Sequence, residues 1–350
     1  MVNARRLVSA ALAAVTCLAL GACGSAQQAA PRTTGGPATC SATTVKIGIP
    51  VSPPNVVHLP AYVANDLGYF QKEHLTPQFL TFESGVASFR AMAGGSVDVA
   101  GTALESLITA VAQGADARMV SSYQVGVDFV FVVGPSIRTL ADLKGKRVNI
   151  EQPGAIADAM SRFVLQKAGI DPSQVQFIST STAGRVPALI NGQSDTGVLH
   201  YDQALIVMQK DPQLHILLNL ADELKNYQFG AWAMSQQFLR SQPRTAECIL
   251  RALIRGNRAM YDPSLRQRIV QIGVKYTKEP ESVVGQTIDA LASARVWPQN
   301  VGVDRTDVEG TIKSMEQRGL VQNPPGYGQL VDTSVATRVV NQLGRKSFPY

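Results

Sequence analysis

Hydrophobic and polar positions along residues 44–229 predict strands and helices in turn. Runs such as "TVKIGIP", "TPQFLTF" and "SVDVAG" are short, apolar or β-branched, and bounded by turn residues, as strands are. Between them lie "HLPAYVANDLGYF", "VASFRAMAGG" and "ALESLITAVAQG", in which apolar residues recur at helical spacing. This alternation predicts an α/β fold with a largely parallel sheet and helices on both faces.

The strand–helix order begins again after "DFVFVVGP", and from Gln242 onward the pattern is helical only. We therefore predict two Rossmann-like lobes: residues 44–131 (first part of lobe 1), 132–229 (lobe 2) and 230–350 (return to lobe 1 and C-terminal helices packed on it). The strands "DFVFVVGP" and "QFGAWAMSQQF" are predicted to cross between the lobes. Two crossings make a hinge, because few residues then need to change φ and ψ.

An internal repeat supports two lobes built on one plan. "SGVASFRAMAGGSVDVAG" aligns with "STAGRVPALINGQSDTGV" without gaps at a spacing of 97 residues. Ser84 falls on Ser181 and Asp98 on Asp195, so each copy reads helix, glycine stop, aspartate, strand. The aspartates are predicted to accept hydrogen bonds from backbone amides in the turn that enters the strand.

The N-terminus has a different pattern. An uncharged run from Leu7 to Ala22 follows Arg5 and Arg6, and is shorter than the roughly 20 residues of a spanning helix. This layout predicts a signal peptide over residues 1–22. "LGAC" resembles the bacterial lipobox, which implies lipidation of Cys23; the alternative is an ordinary signal peptide with a chance cysteine. Residues 23–43, rich in Gly, Ser, Thr and Pro, are predicted to form a flexible linker.

Composition and motifs exclude several classes of function. The net charge is +6, or +4 without Arg5 and Arg6, and the basic residues are scattered, so nucleic-acid binding has little support. We find neither a Gly-x-Ser-x-Gly elbow nor a phosphate-binding Gly-x-x-x-x-Gly-Lys loop, and predict no catalytic residues. No cofactor and no metal site are expected. Outside the cytoplasm Cys40 and Cys248 are able to form a disulfide, and the sequence does not decide whether they do.

Candidate ligand-binding residues lie in the loops after the predicted strands, because ligands of open α/β sheets bind beyond the strands' carboxyl ends. Helix starts offer unpaired N–H groups to anions, although Ser and Thr there are also ordinary caps. Tyrosines are able to stack on a flat solute, and the tryptophan serves either packing or binding. The candidates are Ser52, Asn55, His58, Ser84, Gly85, Ser88, Thr102, Tyr123, Gly154, Thr182, Gly184, Arg185, His200, Tyr201 and Trp232.

Four stretches resemble the type II periplasmic-binding-protein solute receptors of ABC importers, in particular the nitrate/sulfonate/taurine and thiamine-pyrimidine precursor group. They are "KIGIPVSPPNVVHLPAYVANDLGYFQKEHL", "FESGVASFRAMAGGSVDVAG", "IRTLADLKGKRVNI", and "PALINGQSDTGVL" followed by "YD". Where many relatives have "DP" after the lobe 2 strand, this chain reads "LHYDQA", so the pocket wall is expected to differ.

The resemblance implies an extracytoplasmic receptor that captures a small polar, anionic or aromatic solute in the interlobe cleft. With the lipobox, it implies anchoring to the outer face of the bacterial cytoplasmic membrane, as a monomer delivering solute to a permease and its ATPase. Two alternatives stay open: a sensor or scavenger lipoprotein of the same fold, and an extracytoplasmic enzyme. The identity of the solute does not follow from the sequence.

Overall fold

A computed structural model describes residues 40–347; the predicted signal peptide, Cys23 and most of the linker lie outside them. The strands are β1 (Thr43–Ile49), β2 (Leu75–Thr81), β3 (Val99–Ala103), β4 (Ala117–Ser121), β5 (Phe129–Val133), β6 (Arg147–Ile150), β7 (Gln176–Ser179), β8 (Thr196–His200), β9 (His215–Asn219) and β10 (Gly230–Ser235). The helices are α1 (Leu59–Asp66), α2 (Gly85–Ala93), α3 (Leu104–Ala112), α4 (Ile156–Ala168), α5 (Arg185–Ile190), α6 (Tyr201–Lys210), α7 (Leu220–Glu223), α8 (Gln236–Ser241), α9 (Pro243–Ala259), α10 (Arg266–Thr277), α11 (Glu281–Ser293), α12 (Arg305–Gln317), α13 (Tyr327–Leu330) and α14 (Ser334–Leu343).

Two five-stranded sheets of the same plan form the two lobes. The first has the order β2-β1-β3-β10-β4 and the second the order β7-β6-β8-β5-β9. In each sheet four strands run in the same direction, and the remaining one, which enters from the other lobe, runs antiparallel to both of its neighbours. Strands β3, β5 and β8 are buried along their whole length, as expected of sheets covered on both faces. The predicted two-lobed α/β fold is confirmed.

The chain crosses between the lobes where predicted, immediately before β5 and again before β10. Strand β5 pairs on both edges within the second sheet, and β10 pairs on both edges within the first. A strand held in ladders on both sides has no free backbone to absorb a hinge rotation. The lobes are therefore joined through the connecting segments 122–128 and 224–229, and the predicted boundary between residues 131 and 132 falls inside β5, which belongs entirely to lobe 2.

Helices cover both faces of each sheet. In the first lobe α1, α9, α10 and α14 share one apolar core, and α2, α3, α12 and α13 share the other. The second lobe has α4 and α7 on one face of its sheet and α5 and α6 on the other. The C-terminal helices thus pack on lobe 1 as predicted, and α11 in addition contacts α6 of lobe 2. None of the helices within residues 40–347 is long and apolar enough to cross a membrane.

The internal repeat corresponds to equivalent parts of the two lobes. Asp98 accepts a hydrogen bond from the backbone N–H of Lys46 at 2.7 Å, and Asp195 accepts one from that of Arg147 at 2.8 Å. The donors differ from the prediction: Lys46 lies in the middle of β1 and Arg147 is the first residue of β6, so both belong to the neighbouring strand and not to the turn that enters β3 or β8. The aspartates therefore serve strand pairing in both copies, through the neighbouring strand.

The folded region begins earlier than predicted. Cys40 is buried and forms a disulfide with Cys248 of α9, a pairing that the sequence left open. Strand β1 starts at Thr43, inside the predicted linker. Residues 40–43 therefore belong to the first lobe, and the disulfide joins the start of the described chain to its longest described helix.

A buried ionic cluster fastens α9 to the turn that precedes β2. The guanidinium of Arg251 contacts Glu73 and Glu247, each at 2.5 Å, and its side chain is 1% exposed. Arg255 contacts the other oxygen of Glu73 at 2.8 Å, with 30% of its side chain exposed. Gln342 of α14 accepts a hydrogen bond from Arg251, so the cluster joins three parts of lobe 1.

Candidate functional site

The two lobes face each other across a cleft bordered by loops from the carboxyl ends of their strands. In lobe 1 these loops are 50–58 after β1 and 82–84 after β2; in lobe 2 they are 151–155 after β6 and 180–184 after β7. The serines of the repeat shape two of them: Ser84 accepts a hydrogen bond from the N–H of Ala87, and Ser181 from that of Gly184. These capping bonds start α2 and the turn leading into α5, and direct both helix starts toward the cleft.

A buried aromatic cluster lies at the base of the cleft, beside a crossing segment. The ring of His58 is 5.5 Å from that of Tyr123 and 6.0 Å from that of His200, measured between centroids. Tyr123 in turn lies 5.4 Å from Trp232, and His200 lies 4.3 Å from Phe129. Both lobes and a crossing segment contribute to this cluster, so its packing depends on how the lobes are arranged.

Hydrogen bonds connect His200 of this cluster to the crossing segment 122–128. Nδ1 of His200 lies 2.8 Å from Oδ2 of Asp128, and the side-chain amide of Gln124 donates to Oδ1 of Asp128 at 2.8 Å. Burial alone would raise the pKa of Asp128, but the charge and hydrogen bond of His200 and the bond from Gln124 together lower it. Nδ1 of His58 and Oε1 of Gln124 are buried without a hydrogen-bond partner among the described residues.

His58 predicts a dependence of stability on pH. Burial, reinforced by repulsion from His200, lowers its pKa from 6.5 to about 3. The unfolded chain therefore binds more protons below pH 6.5, and the free energy of unfolding should fall with acidification by about 2 kcal/mol at pH 5. Urea unfolding between pH 7 and pH 5 measures this loss. The variant His58→Gln should show a shallower dependence, and equal slopes for both proteins would contradict the assignment.

Asp202 fastens the lobes together. From the first turn of α6, its carboxylate accepts hydrogen bonds from the backbone N–H of Val56 at 2.8 Å and from the side-chain amide of Asn55 at 3.2 Å. Both donors lie in the lobe 1 loop after β1, which is also held by a bond from the indole of Trp297 to the carbonyl of Val57. Burial raises the pKa of Asp202, against the opposing effects of His200 and the Val56 bond. We call Asn55, Val56 and Asp202 the interlobe clasp.

A second contact between the lobes lies at the edge of the cleft. The hydroxyl of Thr182 donates to the carbonyl of Glu83 at 2.8 Å and lies 3.2 Å from the carboxylate of Glu151. Two grooves flank this contact, with volumes of about 540 and 400 Å³. The first is lined by Ser52, Thr81, Phe82, Glu83, Ala87, Ser181, Thr182 and Ala183, and the second by Glu83, Ser84, Ala87, Arg90, Glu151, Gln152, Ser179, Thr180 and Ser181.

The structure divides the candidate residues into groups. Those at the grooves or the lobe contacts are Ser52, Asn55, Ser84 and Thr182, with Gly85 and Gly184 at the adjacent helix starts. Those in the buried cluster are His58, Tyr123, His200 and Trp232. Gly154 lines a separate cavity.

Four candidates lie away from the cleft surface, contrary to the prediction. Ser88 of α2 is fully buried on the side of the helix that faces the sheet. It lies so close to β1 that a Cβ added at Gly48 would be 2.6 Å from its hydroxyl. Thr102 is fully buried and donates to the carbonyl of Gly85. Arg185 is also fully buried, donates to the carbonyl of Val198, and lies 3.5 Å from Glu151. Tyr201 packs against the apolar core between the second sheet and helices α5 and α6.

Sequence reasoning missed the acidic and amide members of the site. The side chains of Asp128, Asp202 and Gln124 and the backbone carbonyl of Glu83 carry the polar contacts described above. Asp202 follows His200 and Tyr201 at the start of a predicted helix, so its position gave a signal. Among residues 40–347, no group of three or more His, Cys, Asp or Glu side chains is arranged to hold a metal ion.

Comparisons with known proteins agree with this architecture. The putative binding protein YtlA of Bacillus subtilis (strain 168) is 21% identical over 306 residues, covering 86% of this chain and 91% of YtlA. The taurine-binding periplasmic protein of Escherichia coli (strain K12) is 25% identical over 261 residues, 73% of each chain. The structure of the periplasmic nitrate-binding protein NrtA from Synechocystis PCC 6803 has a TM-score of 0.73 at 13% identity, covering 89% of this chain and 91% of NrtA.

A sequence profile of the family described as NMT1/THI5 like matches residues 55–264. The matched range is more than half of the chain and runs from Asn55 through the aromatic cluster and Asp202 into α9 and the turn that follows it. The resemblance inferred from the sequence is thereby confirmed. The chain belongs to the NMT1/THI5-like family.

Proposed function

We propose that this protein is the solute-binding component of an ABC importer and captures a small polar or anionic solute between its lobes. The observation that carries the proposal is that helix starts from opposite lobes, at Ser84 and at Ser181–Arg185, border adjoining grooves. Backbone N–H groups at helix starts suit sulfonate, carboxylate and nitrate oxygens. A relative named taurine-binding and a structural neighbour named nitrate-binding support the sulfonate and nitrate members of the proposed solute range, which also includes pyrimidines and vitamin precursors.

Binding would act through closure of the lobes about segments 122–128 and 224–229. The interlobe clasp and the Thr182–Glu83 bond exist only when the lobes approach. A solute held by both helix starts adds contacts to the same arrangement, and so shifts the population toward it. The closed form, as a monomer, would then be recognised by a permease whose ATPase drives import. This role requires binding and release, without turnover of the solute.

A panel of solutes tests the proposal. We expect at least one sulfonate, nitrate, pyrimidine, vitamin or aromatic acid to raise the melting temperature and to make the X-ray scattering profile more compact. Thr182→Val keeps the side-chain shape but removes the interlobe hydroxyl, so it should lower the affinity for that solute. Thr245→Val, at the exposed start of α9, should leave the affinity unchanged. If no member of the panel has either effect, the proposal fails.

We also propose that Cys23 anchors the protein to the outer face of the cytoplasmic membrane. Acyl chains on this cysteine would give stable attachment, whereas a signal peptide cut elsewhere would release the chain. Cys23→Ala is expected to move the protein from the membrane fraction to the soluble fraction while solute affinity stays unchanged. Membrane retention of this variant would refute the lipid anchor without bearing on solute binding.

A further inference from the structure

A third cavity, of about 550 Å³, lies between the lobes beside α3. Lobe 1 lines it with residues of α2, α3 and α12, and lobe 2 with the segment 152–154 and the start of α4. Much of its wall is apolar, from Val86, Phe89, Met315 and Leu320. A cavity of this size and composition holds a small organic molecule when a few polar groups fix its orientation.

Glu105 is the acidic group of this cavity. It is 3% exposed, and its Oε1 accepts a hydrogen bond from the hydroxyl of Tyr227 at 2.5 Å. Its Oε2 is buried without a hydrogen-bond partner among the described residues. Burial raises the pKa of Glu105, against the opposing effects of the Tyr227 bond, of its own backbone N–H and of the nearby charge of Arg318. A buried carboxyl oxygen without a donor is costly, so this oxygen favours a ligand that supplies one.

Two arginines lie at or near this cavity: Arg90 of α2 is one of its lining residues, and Arg318 is close enough to Glu105 to lower the pKa of its carboxyl. The three guanidinium nitrogens of Arg318 donate to the carbonyls of Ser314 and Ala159 and to the hydroxyl of Tyr227. Across the cavity, the backbone N–H of Gly154 donates to Asp158 of its own lobe. Neither group therefore reaches Oε2 of Glu105 with a hydrogen bond.

The internal repeat shows what such a carboxyl does in the other half of the molecule. At the spacing of 97 residues Glu105 corresponds to Asp202, and each lies in the first turn of its helix, α3 or α6. Asp202 is satisfied by N–H donors of the opposite lobe, from Val56 and Asn55. At Glu105 the opposite lobe contributes only the wall of the cavity. Among the described residues, no N–H group of lobe 2 donates to Oε2 of Glu105 as Val56 and Asn55 of lobe 1 donate to Asp202. The cavity lies at this position.

We propose that this cavity is a second ligand site, which binds a small organic amine. The ammonium group would donate to Oε2 of Glu105, where Val56 and Asn55 donate to Asp202 in the repeat. The hydrocarbon part would lie against Phe89, Met315 and Leu320. The cavity borders the groove at Ser84, with which it shares Arg90 and Gln152, but Glu105 and the apolar wall belong to the cavity alone.

Titration calorimetry of the purified full chain with propylamine, butylamine and pentylamine tests this proposal. Affinity should rise about three- to fourfold with each methylene group, because each is buried against the apolar wall. Each amine should bind about tenfold or more tightly than the alcohol of equal length, which lacks the charge-assisted hydrogen bond. Glu105→Gln should remove this advantage of amine over alcohol, whereas Glu309→Gln, an exposed carboxyl of α12, should preserve it.

A second variant keeps the test independent of Glu105 and its contact with Tyr227. Ala110→Phe projects a bulky ring from a partly exposed position of α3 into the cavity, and should abolish binding of amines and alcohols alike. Solute binding at the grooves should persist in both variants, which separates failure of this site from failure of the transport function. The proposal is overturned if no amine binds at millimolar concentration, if amines and alcohols bind equally, or if both variants bind as the parent does.

Discussion

Asp202→Ala is expected to weaken solute binding by about 30-fold or more, which corresponds to about 2 kcal/mol. The change removes the acceptor for the N–H of Val56 and the side-chain amide of Asn55, and both donors are buried in the closed arrangement. In an open arrangement water would satisfy them, so the cost falls on closure alone. Titration with the solute identified by the panel measures the effect, and scattering should show a more extended protein.

Two further variants test this prediction, one as an intermediate substitution and one as a control. Asp202→Asn keeps one acceptor oxygen and should give an intermediate affinity. Asp211→Ala, which follows the last residue of the same helix and removes only a bond to the N–H of Gln213, should bind solute as the parent does. If Asp202→Ala binds as tightly as the parent, the clasp does not contribute to the closed state.

Arg251→Ala should lower the free energy of unfolding by about 3–5 kcal/mol, measured by urea unfolding. The variant leaves the carboxylate of Glu73, which is 3% exposed, and that of Glu247 without their buried guanidinium partner. Removal of one member of a buried ionic cluster is more costly than the cluster's net contribution, because Glu73 and Glu247 are then left with only the partly exposed guanidinium groups of Arg255 and Arg244. The cluster lies in lobe 1, away from the clasp, so solute affinity of the folded fraction should not change.

Arg255→Ala is the matched control for this effect. The residue contacts the same Glu73, but 30% of its side chain is exposed, and partly exposed ion pairs contribute about 1 kcal/mol or less. A loss in Arg251→Ala no larger than that in Arg255→Ala would mean that water reaches the cluster and satisfies its carboxylates.

Much of the fold is predictable because it depends on local patterns. The apolar runs that become β3, β5 and β8 are strand-forming in isolation, and glycine stops end the helices before β3 and β8. The internal repeat alone identifies Asp98 and Asp195 as equivalent. The exact start of lobe 2 is less predictable, because β5 is apolar along its whole length and only its pairing with β8 and β9 assigns all of it to one sheet.

The candidate site was predictable to a smaller extent. The loops bordering the cleft follow from the order of the strands, which led to Asn55, His58 and Thr182. Whether a residue of such a loop faces the cleft or the lobe interior depends on the rotation of its helix over the sheet. Ser88 and Arg185 face inward for this reason, and Asp202, one residue beyond a candidate, faces the other lobe.

The sequence by itself determined the two-lobed α/β plan, the family resemblance and the repeat, because these rest on periodicity and on order along the chain. Only the tertiary structure decided which groups meet across the cleft. Asp202 and Glu105 occupy equivalent places in the two copies, yet one is satisfied by the opposite lobe and the other borders a cavity. This difference arises from the loops facing them, residues 50–58 and 151–155, whose unequal lengths and shapes place their backbone donors differently.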